Sequence, residues 1–131
     1  MSSYLAPEKD IIFALNELAE LKNISSLSGF EDATPDLIEA VVEEAARLAN
    51  GVLAPLNKSG DELGTKVVDK KVVASDGFID IYNEFREGGW PALPFSSERG
   101  GQGLPELVAT AANEIWQAAN MSIALCPMLT E

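Results

Sequence analysis

Residues 34–56 carry the apolar pattern that most limits how this chain can fold. Thr34-Pro35-Asp36 is a clear helix start. The threonine can cap, the proline sits where a missing N–H costs nothing, and the acid opposes the positive end of the helix dipole. Behind it Leu37, Ile38, Val41, Val42, Ala45, Leu48, Ala49, Val52, Leu53 and Leu56 form one stripe. The stripe holds for about five turns, roughly 30 Å. Glu39, Glu43, Glu44 and Arg47 face away from it. A helix this long with one apolar side needs other helices against it. The expected fold is therefore mainly all-α, an antiparallel helical bundle around this central helix. Pro55 is expected to close it.

The elements on either side are shorter. Pro7 opens an amphipathic pattern that predicts a helix to about residue 22, with Ile11, Leu15, Leu18 and Leu21 on one face. Residues 23–33 read as a loop, with Gly29 as a turn residue and Phe30 plugging into the core. Residues 57–64 are polar and turn-rich. Thr65-Lys66-Val67-Val68 and Val72-Val73-Ala74 alternate weakly around Asp69-Lys70-Lys71, which predicts one short β-hairpin near residues 65–74. Two strands alone are marginal, so the hairpin is expected to lie on the helices. Asp76 is expected to cap a helix with Phe78, Ile81, Tyr82 and Phe85 on one face, ended by Gly88-Gly89.

Composition narrows the function classes. The chain has 131 residues, 47% of them hydrophobic, which suits one domain with its own core. Its 21 acidic and 9 basic residues leave a net charge of −12, so nucleic acid and anionic membrane surfaces are repelled. No run approaches the roughly 18 continuous apolar residues of a membrane span, and no secretion signal opens the chain. Histidine is absent and there is one cysteine, Cys126. That removes the commonest metal ligand and general base, excludes an internal disulfide framework and fits a reducing compartment.

The stretch from Gly88 onward carries the motifs. Gly100, Gly101 and Gly103 crowd one loop. No buried strand precedes them and no Gly-Lys-Ser/Thr follows, so they read as a tight turn that aims a helix, with no phosphate site. Pro105 fits the first position of that helix, and Val108, Ala111, Ala112, Ile115, Trp116 and Ala119 fall inward. Residues 121–130 are apolar almost all round, the pattern of a helix buried on every side, yet nothing else in the chain remains to cover them.

These residues resemble a known family. Gly88-Gly89-Trp90, Pro94 and Glu98-Arg99-Gly100-Gly101-Gln102-Gly103-Leu104-Pro105 are similar to a signature in the N-terminal domain of acyl-CoA dehydrogenases. Asn113-Glu114-Ile115-Trp116 and Ala119-Asn120-Met121-Ser122 resemble that family's next helix and its small-residue turn. Tyr4-Leu5-Ala6-Pro7, Gly29-Phe30-Glu31-Asp32-Ala33-Thr34 and residues 120–130 resemble the larger bacterial subgroup that includes 3-methylthiopropanoyl-CoA dehydrogenase. The likeness covers essentially the whole chain, but only the first part of such an enzyme. It implies that residues 1–131 form a single helical domain, with the middle β domain and the C-terminal helical domain absent.

The resemblance also implies a chemistry. Acyl-CoA dehydrogenases remove the α-hydrogen as a proton and the β-hydrogen as a hydride to FAD, leaving a 2-enoyl-CoA. The flavin and the catalytic glutamate belong to the regions absent here, so no catalytic, cofactor-binding or metal residue is expected in this chain, and alone it is expected to be inactive and flavin-free. The implied partners of the parent enzyme are an acyl-CoA substrate and an electron-transfer acceptor, in the cytoplasm. The domain is expected to give one wall of the acyl pocket, with Ile123, Leu125, Cys126, Met128 and Leu129 as candidates, and to self-associate through its bare C-terminal apolar surface. In many family members a glutamate stands near Cys126 and Pro127; its absence leaves chain-length preference open.

Three other residues could suggest chemistry and are read structurally. Cys126 has no histidine, lysine or arginine nearby to favour a thiolate, so it is a small packing residue. Glu114 is a lone carboxylate on a helix, the pattern of a solvated or paired group. Trp90 and Trp116 read as core anchors. The alternative to a dehydrogenase domain is a free-standing helical interaction module that uses the same apolar C-terminal helix.

Overall fold

The computed structural model describes residues 4–129. Its helices are α1 (Glu8–Phe13), α2 (Leu21–Ser25), α3 (Pro35–Leu48), α4 (Ala54–Leu63), α5 (Phe78–Glu87), α6 (Glu106–Ala119) and α7 (Met121–Met128). The strands are β1 (Lys66–Val68) and β2 (Lys71–Val73). Wider π-turns over Ala14–Leu18 and Ala49–Leu53 follow α1 and α3. The fold is mainly helical with one antiparallel hairpin, as the sequence predicts.

α3 is the axis of the fold. Thr34 caps it, its Oγ1 accepting the Leu37 N–H at 3.3 Å, with Pro35 at the first turn. Ile38, Val42, Ala45, Leu48, Ala49 and Leu53 are buried along its stripe. α1 and α6 pack against it, and α7 packs against α6.

Pro55 does not close this helix. The backbone passes through the π-turn and continues as α4 to Leu63. A proline in a helix meets the carbonyl four residues earlier, here Gly51, and a π-turn is the kind of local widening that makes room for it. Residues 57–63 are consequently helix and not loop, and only Gly64 of the expected loop lies outside it. Phe78 lies so close to Gly60 that a Cβ there would come within 2.7 Å of its ring. Ser75 Oγ donates to the Gly64 carbonyl at 2.9 Å, satisfying the end of α4.

Other boundaries also move. The first helix is not continuous to residue 22: it breaks before α2 at Glu20, which holds φ 50°. α2 occupies the start of the expected loop at 23–33, where Gly29 turns with φ 96° and Phe30 is only half-buried. α5 is preceded by Gly77 in the left-handed region, and Asp76 does not cap it. Ile81 and Phe85 are buried on its face, while Tyr82 is 39% exposed. Pro105 precedes α6 by one residue.

The hairpin does not lie on the helices. All six strand residues are exposed. Val67 pairs with Val72 across the ladder, and Asp69 and Lys70 turn with φ 50° and 64°. Positive φ at both central residues is the type I′ geometry that matches strand twist.

Candidate functional site

The glycine loop sets the site up from below. Gly101 N–H donates to the Ser96 carbonyl, Gln102 N–H to Ala92, Gly103 N–H to Phe95 and Leu104 N–H to Leu93. A Cβ on Gly101 would stand 2.0 Å from the Phe95 carbonyl oxygen, so only glycine permits this chain crossing. These four N–H groups are spent within the turn, and they hold the chain in the direction α6 then takes. The reading of a tight turn that aims α6 therefore holds.

α6 is bolted to the axis through its inward side chains. Val108, Ala111, Ala112, Ile115, Trp116 and Ala119 are all buried, as the periodicity predicts. Trp116 is the hub. Its ring meets Phe85 edge-on at 4.8 Å and Trp90 at 5.2 Å between centroids. Its indole Nε1 donates to the Ala45 carbonyl of α3 at 3.3 Å. Such packing joins large buried area to a satisfied polar tip. Trp116 is a core anchor, whereas Trp90 is only partly buried and packs against the core from its edge.

Asn120, which the sequence places only in a small-residue turn, has a role that the sequence reading did not assign. It is 1% exposed, the only buried polar side chain among the described residues. Its backbone is extended (φ −159°, ψ 91°), which separates α6 from α7. Nδ2 donates to the Leu53 carbonyl at 3.1 Å, inside the π-turn. Oδ1 accepts the Ile123 N–H at 3.3 Å and the Ser122 hydroxyl at 2.8 Å. One amide thus ends one helix, caps the next and ties both to the axis. An asparagine directly before an apolar run is a helix-start signal that would have found it.

α7 hangs from that cap with one side sealed. Ile123, Ala124 and Pro127 are buried, whereas Met121, Leu125, Met128 and Leu129 are exposed, Leu129 to 79%. Residues 121, 125, 128 and 129 share a helix face, so the exposed side is a continuous apolar stripe. Thr130, which the expected helix included, lies outside the described residues. Two hollows flank the stripe. A cleft of about 740 Å³ is lined by Leu125 and Met121 with Gly60, Ser75 and Phe78. A groove of about 520 Å³ on the other side is lined by Met128 and Met121 with Glu106, Thr110 and Gln117. Gln117 Nε2 contacts the Met128 sulfur at 3.3 Å.

The five candidate pocket residues therefore do not converge on one hollow. Leu125 faces the first and Met128 the second. Cys126 and Leu129 are exposed and line neither, and Ile123 anchors the helix from the core side. Glu114 is exposed on α6. It acts on Tyr4, whose hydroxyl donates to the Ile115 carbonyl at 3.0 Å. Burial, and then the Glu114 charge, hold the Tyr4 phenol above its ordinary pKa of 10.0. Among the described residues no three His, Cys, Asp or Glu side chains gather as a metal site, and no helix is long and apolar enough to cross a membrane.

The geometry defines a class first: a helical unit with a sealed core and a last helix that presents an apolar wall. Comparison with known proteins gives the family. No family model matches the chain. The chain is 37% identical over 128 residues, 98% of its length, to a 3-methylmercaptopropionyl-CoA dehydrogenase of Ruegeria pomeroyi, of which that match covers 22%. It is 32% identical over 92 residues, 67% of the chain and 15% of the relative, to a butyryl-CoA dehydrogenase of Syntrophomonas wolfei. It is 28% identical over 126 residues, 94% of the chain and 20% of the relative, to a broad-specificity linear acyl-CoA dehydrogenase of Mycobacterium tuberculosis. By sequence the chain belongs to the acyl-CoA dehydrogenase family, and it spans about a fifth of the length of these relatives.

Proposed function

We propose that this chain is the N-terminal helical domain, a single unit over residues 1–131, of a cytoplasmic FAD-dependent acyl-CoA dehydrogenase. The parent enzyme oxidises an acyl-CoA thioester to a 2-enoyl-CoA and passes its electrons to a separate acceptor. The domain's own part is a wall. Leu125, Cys126 and Met128 of α7 and Leu129 just after it are its exposed apolar side and bound the acyl chain once the rest of the parent closes over them, and Ile123 holds that helix to the core. The catalytic base and the flavin reside in regions of the parent that this chain lacks, so alone it is inactive and binds no FAD. In isolation its bare stripe also drives self-association.

The observation that carries this reading is the one-sided burial of α7. An apolar stripe of two methionines and two leucines is costly in water and suits an apolar ligand or a neighbouring domain. Methionine adapts to differently shaped chains, so this wall tolerates more than one acyl group. The test is the intact mass and absorbance of the natural protein, captured through this domain from its source cells. A mass several times that of 131 residues, with yellow flavin absorbance and acyl-CoA oxidation, is the expected result. A natural chain of 131 residues without flavin would overturn it and favour an interaction module.

A further inference from the structure

Two surface features outside the α7 wall match one another. The first is the hairpin. Val67 and Val72 are 73% and 74% exposed, and Val68 and Val73 about half exposed. Lys66, Lys70 and Lys71 stand among them, three of the nine basic residues in the chain. Among the described residues none of the three forms an ion pair. A two-stranded hairpin with nothing behind it is marginal, and its bare strands favour contact with another surface.

The second feature is a groove of about 250 Å³ between α6 and the segment formed by α1 and its π-turn. Ile11, Leu15, Leu107 and Ala111 line it as an apolar floor. Asp10 and Glu114 are its charged lining residues, and no lysine or arginine lines it. The hairpin is cationic and apolar where the groove is anionic and apolar. In a chain of net charge −12, most other pairings of its surfaces set like charges together. Hairpin against hairpin would oppose lysines with lysines.

We propose that the hairpin of one copy docks in this groove on a second copy, its valines on the apolar floor and its lysine ammonium groups against Asp10 and Glu114. The contact does not use the α7 stripe itself, although Thr110 and Glu114 line both this groove and the hollow beside Met128; it differs from a stripe contact in salt dependence, because a charge-paired contact is screened and an apolar one is not.

Sedimentation velocity on the full 131-residue chain tests this. Self-association is expected, weakening between about 50 mM and 500 mM salt as the Debye length shrinks. Lys66→Glu/Lys70→Glu/Lys71→Glu, and separately Asp10→Lys/Glu114→Lys, should each weaken it at least about tenfold, because like charges then face each other. Mixing the two variants should restore association. All five positions are exposed, so helical circular dichroism should be unchanged; the single changes Lys70→Glu and Glu114→Lys carry the same test at smaller amplitude. Leu125→Lys/Leu129→Lys should leave the salt-dependent association in place. A monomer at every concentration, an association indifferent to salt, or folded variants that stay apart on mixing would each overturn the proposal.

Discussion

α6 and α7 are adjacent, both rich in apolar residues, and joined by one asparagine, yet the structure treats them differently. α6 buries its apolar face and adds two specific polar ties, Trp116 to Ala45 and Asn120 to Leu53, at its C-terminal end. α7 buries three side chains and leaves a stripe open. The difference shows where the chain uses hydrophobicity to hold itself together and where it holds it ready for something else. Satisfied buried polar groups make a position unique, whereas apolar contact alone leaves it adaptable.

The comparison is broken most severely at its hub. Trp116→Ala removes both aromatic partners and the indole hydrogen bond, and should cost about 3–5 kcal/mol of stability, read as a lower urea midpoint. Asn120→Ala should come next. It removes the tie to the Leu53 carbonyl and uncaps α7, costing about 1–3 kcal/mol. Hydrogen exchange should then show α7 opening before α6. If both opened together, the asparagine would be a general core residue and not the tie between the helices.

A smaller effect tests the outer side of α6 through pH. Tyr4 holds its proton more tightly folded than unfolded, because burial and then Glu114 disfavour the phenolate. Its contribution is fully present below the unfolded pKa of 10.0 and is lost as pH rises through the higher folded value. Stability should therefore fall above about pH 10 more steeply in the natural chain than in Tyr4→Phe, followed by urea unfolding across that range. The smallest effect is expected on α7: Leu125→Ser should cost only about 1 kcal/mol, because the side chain lies on the open face and is 38% exposed. A loss of about 2–5 kcal/mol there, the range for a deleted core leucine, would mean that the stripe is covered and the contrast with α6 is false.

How legible this was depended on the kind of signal. α6 read correctly because its burial follows a clean helical period from Val108 to Ala119. α7 was also found as a helix, but its sealed side was not, because a helix that is apolar all round gives no moment to say which side is sealed. Only the position of Asn120, set by a carbonyl 67 residues earlier in the chain, fixes its rotation. The continuation past Pro55 was hidden for a similar reason. Asn-Gly and Pro are breakers locally, but a π-turn absorbs the proline and Phe78 packs on Gly60 from a distant helix. The hairpin was found from its valines, yet its separation from the helices was not, since alternation tells which residues pair and not what lies beneath them.

The claim that matters most is that the open face of α7 is a wall for an acyl chain. The direct measurement is the chain-length profile of kcat/KM in the natural-length enzyme carrying Leu125→Trp, with Ile79→Trp, which is exposed on α5 and lines neither hollow, as the control. The account predicts that the Leu125 variant loses activity toward longer acyl-CoA thioesters relative to shorter ones, by roughly tenfold or more for the steric equivalent of one or two methylenes, while the control keeps the natural profile. A Leu125 variant whose profile matches the natural enzyme and the control would contradict it, and the stripe would then be a surface for protein and not for substrate.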